Sequence, residues 1–300
     1  MKRVVITGAT GFIGVHLVGE WLKEECEIIA VVRPDSVNLP RLPENSQIRI
    51  VTLEMGDYDK LPSYIGQADY FYHLAWEGSR APLRDDAALQ ERNFRCSILA
   101  INAARKMNCK MFMGVGSQAE YGSQGSTANE SYPCNPTNEY GKQKLNTMLE
   151  SSGIAREAGM NFIWLRMFSV YGRYDYPKTM VASCLEKMAR DEQVDLTSCE
   201  QLWDYLYVED AAKAMVLFAK TEVESGVYNI ANGSVRPLKD YVTDMKTVTK
   251  SSSSVNFGAV SYGPLGPVNL QPDTTKAQKT LNWSAKTSFT DGIARTIGIL

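Results

Sequence analysis

Short apolar runs ending in glycine or proline, each followed by a longer stretch with helical spacing, set the rhythm of the first half of this chain. Val4-Val5-Ile6 predicts a first strand, and Ile13, Leu17 and Leu22 then share one face of a helix over residues 12–23. Further apolar runs at 28–32, 48–53 and 70–75 predict three more strands. A helix over 86–107, a strand at 110–115, a helix over 139–158 and a strand at 162–167 follow. Strands that are apolar throughout, alternating with helices, indicate a parallel sheet covered on both faces. Right-handed crossovers favour a Rossmann-type, doubly wound α/β fold.

After Tyr171 the pattern loosens. The run 205–208, a helix over 208–220 and a strand at 227–230 predict a return to the main sheet, while 251–254 and 263–272 read as loops. Residues 1–170 plus about 205–231 are therefore expected to form the Rossmann domain. Residues of about 171–204 plus 232–300 are expected to form a smaller C-terminal, substrate-binding lobe.

Bulk properties narrow the setting. A net charge of −2 without a basic block gives no support for a nucleic-acid partner. No apolar stretch reaches spanning length, and glycines at 8, 11 and 14 interrupt the only run resembling a signal sequence, so no membrane association is expected. Six scattered cysteines without a Cys-x-x-Cys pair, and two histidines, point to reduced thiols in a soluble, cytoplasmic protein and to no metal site.

The first turn carries the first candidate chemistry. In Thr7-Gly8-Ala9-Thr10-Gly11-Phe12-Ile13-Gly14, Gly8 permits a tight turn, Gly11 lets backbone approach a pyrophosphate, and Gly14 lets helix pack on strand. Thr10, Phe12 and Ile13 complete a loop whose N–H groups and helix dipole favour an anion. Asp57, just past the third strand, is placed either to accept from an adenine or as a plain turn residue. At the end of the second strand, NAD would want a carboxylate and NADP an arginine. Arg33 stands there with Asp35 two residues late, so NADP(H) is favoured over NAD(H).

Tyr140 and Lys144 lie four apart in a predicted helix and so share one face. Ser117 follows the strand at 110–115, where the carboxyl ends of parallel strands border the cofactor crevice. As a catalytic set, Ser117 would donate to a substrate oxygen, and Tyr140 would carry the proton. A free phenol titrates near pH 10, so exchange at neutral pH requires a shift of about three units, or about 4 kcal/mol. The Lys144 ammonium is the right kind of perturber. The alternative is an amphipathic helix with a solvated tyrosine and lysine.

These motifs, with His73-Leu74-Ala75, Leu165-Arg166-Met167-Phe168-Ser169-Val170-Tyr171-Gly172, Asp204-Tyr205-Leu206-Tyr207-Val208-Glu209-Asp210 and Tyr228-Asn229-Ile230, occur in an order that resembles the extended short-chain dehydrogenases/reductases, the NAD-dependent epimerase/dehydratase family. The resemblance spans nearly all of the chain. It implies that Leu74 and Ala75 line the cofactor cleft, that Asn93 braces the sheet, and that the two long helices pair subunits into a homodimer. Family dehydratases follow the catalytic hydroxyl with Asp-Glu; Gln118 and Ala119 stand there, which disfavours dehydration. The wording around Ser117 and Ala75-Trp76-Glu77-Gly78-Ser79-Arg80 is similar to reductases of 4-keto-deoxy nucleotide sugars. Reduction is therefore expected, with 4-epimerisation and a non-catalytic dinucleotide-sensing module as alternatives. Trp76, Arg80, Gln118, Glu120, Tyr121 and Ser169 are expected at the sugar-nucleotide pocket. Relatives hold the diphosphate with an arginine where this chain has Trp203, which would stack on a base or sugar, or simply pack. Arg84, Arg173, Lys178 and Arg236 are the candidates to replace that arginine.

Overall fold

The alternating burial of β-branched residues shows first at the N-terminus. Val4 and Ile6 enter one buried cluster with Leu17, Trp21, Tyr72 and Met215, while Val5 between them enters another with Phe71, Ile101 and Phe112. A strand buried on both faces has no polar side to show, hence its continuous apolar run. Each such side chain, removed from water, stabilises the fold by about 1.5–3 kcal/mol.

A computed structural model describes residues 1–123, 125–263 and 266–299. In chain order its elements are β1 (Lys2–Thr7), α1 (Phe12–Trp21), β2 (Cys26–Val32), β3 (Ile48–Thr52), α2 (Leu61–Ile65), β4 (Tyr70–His73), α3 (Ala87–Lys106), β5 (Met111–Ser117), α4 (Glu139–Glu157), β6 (Asn161–Met167) and β7 (Ser169–Tyr171). There follow α5 (Met180–Met188), β8 (Val194–Leu196), β9 (Leu202–Trp203), β10 (Tyr205–Tyr207), α6 (Val208–Lys220), β11 (Gly226–Ile230), β12 (Arg236–Pro237), α7 (Leu238–Thr249), β13 (Val255–Phe257), α8 (Thr275–Leu281) and α9 (Phe289–Thr296). Pro264 and Leu265, within the loop expected at 263–272, lie outside the described residues.

Seven strands form one parallel sheet in the order β11-β6-β5-β4-β1-β2-β3. The order reverses between β1 and β4. At such a switch point the connections leave in opposite directions and open a crevice at the strands' carboxyl ends.

One expected element lies elsewhere. Residues 205–207 do not rejoin the main sheet; β10 pairs in parallel with β7 as a separate two-stranded sheet. The aromatic residues explain this. Tyr205 and Tyr207 pack with Tyr171, Tyr241 and Phe289 in a third core built largely from α5, α7 and α9. The return is made by β11 alone, which pairs with β6 at the sheet edge. Among the described residues no helix is long and apolar enough to cross a membrane.

Candidate active site

The turn after β1 is shaped by close approaches. Gly8 has φ +71°, and a Cβ there would lie 2.8 Å from the Ala75 backbone nitrogen. A Cβ on Gly14 would run into the Gly8 carbonyl oxygen. Gly11 is the N-cap of α1 and offers no side chain to cap it, so the first-turn N–H groups are left for an anion at the positive end of the helix. The glycines therefore leave a cradle that side chains would fill, and this fits a dinucleotide pyrophosphate. The side chains of Phe12 and Ile13 pack against the third core, which leaves their backbone as the part available to a ligand.

Neighbouring segments are tied to this turn. Thr10 Oγ1 lies 3.2 Å from Ser36 Oγ in the loop after β2. The Leu74 and Ala75 amides donate to Thr7, at 3.2 Å to its carbonyl and 3.4 Å to its hydroxyl. Arg33 is exposed at the end of β2. Asp57 pairs with Lys60 at 2.7 Å, so its carboxylate is engaged within its own turn.

Ser117 ends β5 and caps the 3-10 turn Gln118–Glu120, with its hydroxyl oxygen accepting from the Ala119 amide at 3.1 Å. Helix α4 begins beside it, its N-cap Asn138 accepting from the Gly141 amide at 2.9 Å. A Cβ at Gly141 would strike the Ala119 carbonyl, so this glycine lets α4 press on the Ser117 turn. Tyr140 and Lys144 project from that end of α4. Lys144 is 4% exposed; its Nζ donates to the Val115 carbonyl at 2.7 Å and sits 3.7 Å from the Trp76 ring centre. Trp76 in turn meets Tyr140 edge-on, with ring centres 5.9 Å apart.

The electrostatics follow from this crowding. Burial brings Lys144 down to about 7, opposed in part by the charge on Glu120. Burial pushes the Tyr140 phenol up; the Ser117 hydroxyl draws it down, Glu120 raises it, and Arg84 and Arg80 lower it. His73, wedged between Thr7 Oγ1 at 2.9 Å and Ser97 Oγ at 2.8 Å, is held neutral by burial at about 3.

Two residues expected at the pocket are buried in the interior instead. Glu120 is fully buried and accepts from the Ser117 amide at 2.8 Å, Trp164 Nε1 at 3.0 Å and Arg166 Nε at 2.7 Å. Tyr121 is 1% exposed, donates to Asn229 Oδ1 at 2.7 Å and lies under the Arg166 guanidinium. A buried carboxylate that meets a buried guanidinium is satisfied there and turns away from solvent. Asn93 is also redirected: its side chain exchanges hydrogen bonds with the Glu77 backbone, so it braces the segment after β4 rather than the sheet.

The remaining expected residues scatter around the cleft. Gln118 and Ser169 are half-buried at the ends of β5 and β7, and Arg80 is exposed and paired with Asp175 at 3.5 Å. Trp203 packs between two cores, with its indole nitrogen buried and unpartnered among the described residues. Arg236, paired with Trp203 across β9 and β12, binds Asp244. Sequence reasoning did not foresee the Glu120–Arg166 pair, nor Gln90 on α3, whose buried side chain bonds Trp76, Gly78 and Leu83. The signal for the first was an arginine within the apolar run Phe162–Met167 of β6.

A glycine-lined turn on a parallel sheet with Ser117, Tyr140 and Lys144 grouped near it is consistent with a short-chain dehydrogenase/reductase, and the chain is an enzyme of that type. It belongs to the NAD dependent epimerase/dehydratase family, whose model matches residues 4–231. CDP-abequose synthase of Salmonella muenchen is 24% identical to it, over 99% of this chain and 98% of that protein. The dTDP-6-deoxy-L-talose 4-dehydrogenase (NAD(+)) of Aggregatibacter actinomycetemcomitans is 24% identical over 81% and 88%. The solved UDP-glucuronic acid 4-epimerase of Bacillus cereus, in complex with UDP-glucuronic acid and NAD, shares the fold with a TM-score of 0.86 at 22% identity, covering 99% of this chain and 98% of that one.

Proposed function

We propose that this enzyme reduces a keto group, at C4, of a nucleotide-activated deoxysugar in the cytoplasm, with NADPH preferred over NADH. The observation that carries the reading is the convergence of Ser117, Tyr140 and Lys144 beside the glycine cradle. Bound in that cradle, the dinucleotide would supply the hydride. Ser117 Oγ already accepts from the Ala119 amide, which leaves its O–H free to donate to the ketone oxygen and steady the charge growing there. Tyr140 then gives its proton to that oxygen, and the product is the alcohol. Lys144, fixed on the Val115 carbonyl, keeps two N–H donors for the ribose side of the cleft.

Support for the substrate comes from the relatives, whose names carry CDP-, dTDP- and UDP-linked sugars. Their chemistry at position 4 includes an NAD(+)-linked dehydrogenation. Arg33 at the end of β2 supports NADPH through a bidentate contact to a 2′-phosphate. The segments at about 171–204 and 232–300 form the lobe that holds the sugar nucleotide.

The test mixes purified protein with NADPH and a panel of 4-keto nucleotide sugars. Loss of the reduced nicotinamide absorbance is expected, and Tyr140→Phe should abolish it while dinucleotide binding survives. Sugar interconversion on tightly held NAD without net oxidation would replace the reading by epimerisation. Dinucleotide binding with no turnover across the panel would favour a sensing module.

A further inference from the structure

The loop between β4 and α3 delivers an arginine to the catalytic tyrosine. Gln90, fully buried on α3, holds that loop: its Nε2 donates to the carbonyls of Gly78 at 2.8 Å and Leu83 at 2.9 Å, and its Oε1 accepts from Trp76 Nε1 at 2.9 Å. The Arg84 amide donates to the Arg80 carbonyl at 2.9 Å, closing a tight turn. Arg84 thereby sits half-buried over Tyr140, with its guanidinium carbon 5.9 Å from the ring centre. Lys144 Nζ lies at the same 5.9 Å.

The two cations differ in their partners. Lys144 is bonded to a carbonyl and covered by Trp76. The Nε of Arg84 is out of solvent without a hydrogen-bond partner among the described residues. The ion pairs recorded for this loop are Arg80 with Asp175 and Arg92 with Glu77, and Arg84 takes part in neither.

We propose that Arg84 is a positioning residue for Tyr140, a permanent cation whose field holds the phenol ready to exchange its proton. The inference rests on Tyr140 being the proton donor. A guanidinium keeps its charge over the whole working range. Burial brings Lys144 down to about 7, so its charge is held less firmly than a guanidinium's. Facing Tyr140 are Ser117 from the end of β5, Glu120 from the following turn, Lys144 on its own helix, and Arg80 and Arg84 from the β4–α3 loop. Of the two arginines Arg80 is exposed and shares its charge with Asp175, so Arg84 carries the larger share of the positive field.

A unit charge about 6 Å away, through an effective dielectric between 20 and 80, moves a titration midpoint by roughly a half to two pH units. The experiment follows the ζ-carbon resonance of Tyr140 in the full-length protein labelled at tyrosine, assigned by its loss in Tyr140→Phe. In Arg84→Gln the midpoint should rise by about one pH unit; Arg84→Lys should restore most of the difference, and Arg80→Gln should shift it less. An unchanged midpoint in Arg84→Gln, equal shifts in the Gln and Lys variants, or a larger shift in Arg80→Gln would overturn the proposal. Tyr140→Phe that still turns over the sugar panel would instead sink the proton-donor reading, and it leaves the titration result standing.

Discussion

Glu120 is the residue whose replacement tests the site's foundation most directly. It is fully buried, and its two oxygens take the Arg166 Nε–H, the Trp164 indole N–H and the amide of Ser117. Arg166 is 2% exposed. Glu120→Gln keeps the shape but removes the charge, and one side of the new amide must turn an N–H toward donors that were satisfied. Breaking one partner of a buried pair costs about 3–5 kcal/mol, because the other charge is left in a low-dielectric interior. That is a large part of the roughly 5–15 kcal/mol by which a folded protein is stable.

Urea unfolding at neutral pH measures the loss. The double variant Glu120→Gln/Arg166→Met supplies the control, since an apolar side chain beside Trp164 and Tyr121 removes the orphaned cation and should recover most of the stability. A loss below about 1 kcal/mol in the single variant, or a double variant no better than the single, would refute the claim that this pair is buried and mutually satisfied. The single variant should also lose activity beyond its stability loss if its amide turns the N–H toward Ser117, because the Ser117 turn then loses its acceptor and the Ser117 hydroxyl its fixed direction.

Other outcomes follow from the same geometry. Arg33→Ala should weaken NADPH binding about 10- to 100-fold and NADH binding far less, as loss of a charge-assisted phosphate contact implies; equal losses in a fluorescence titration would remove its phosphate role. Lys144 has a folded pKa lowered to about 7, so its burial costs stability in full below pH 7, and the cost fades as pH rises toward the unfolded value near 10.4. Lys144→Met should therefore be more stable than the parent at neutral pH and lose that advantage between pH 7 and 10; a difference independent of pH would contradict the burial of a titrating amine. Helices α3 and α4 pack together and leave Leu149 exposed, and a homodimer through these helices should give a dimer's mass in light scattering, whereas a monomer at working concentration would reject it.

The elements closest to their predicted bounds are those whose signals are local. The helix expected over 86–107 is α3 at Ala87–Lys106, because Asp86 caps it by accepting from the Leu89 amide. The turn at Gly8 was legible because only glycine tolerates its φ and the nearness of Ala75. Residues 205–207 were expected in the main sheet and are not there, since an aromatic strand suits any pleated surface and its partners come from β7, α7 and α9, far along the chain. Glu120 and Tyr121 were misplaced for a related reason. Adjacency to Ser117 says nothing of direction, and the residues that turn Glu120 inward are 44 and 46 positions away.

The same limit applies to the charge around Tyr140. Four-residue spacing puts Tyr140 and Lys144 on one face of α4, but the Lys144 amine is tied to the Val115 carbonyl, 29 positions back, and burial lowers its pKa to about 7. The field at the phenol is then a sum over the Ser117 turn and the β4–α3 loop, with Glu120 opposing Arg84 and Arg80. Glu120 raises Tyr140 and Lys144 together, so its negative charge favours the protonated form of both. A phenol that is to act as an acid must hold its proton before the exchange. The buried carboxylate supplies that bias, and in the role proposed for it Arg84 opposes the bias and keeps the phenol from becoming too weak an acid to give the proton up.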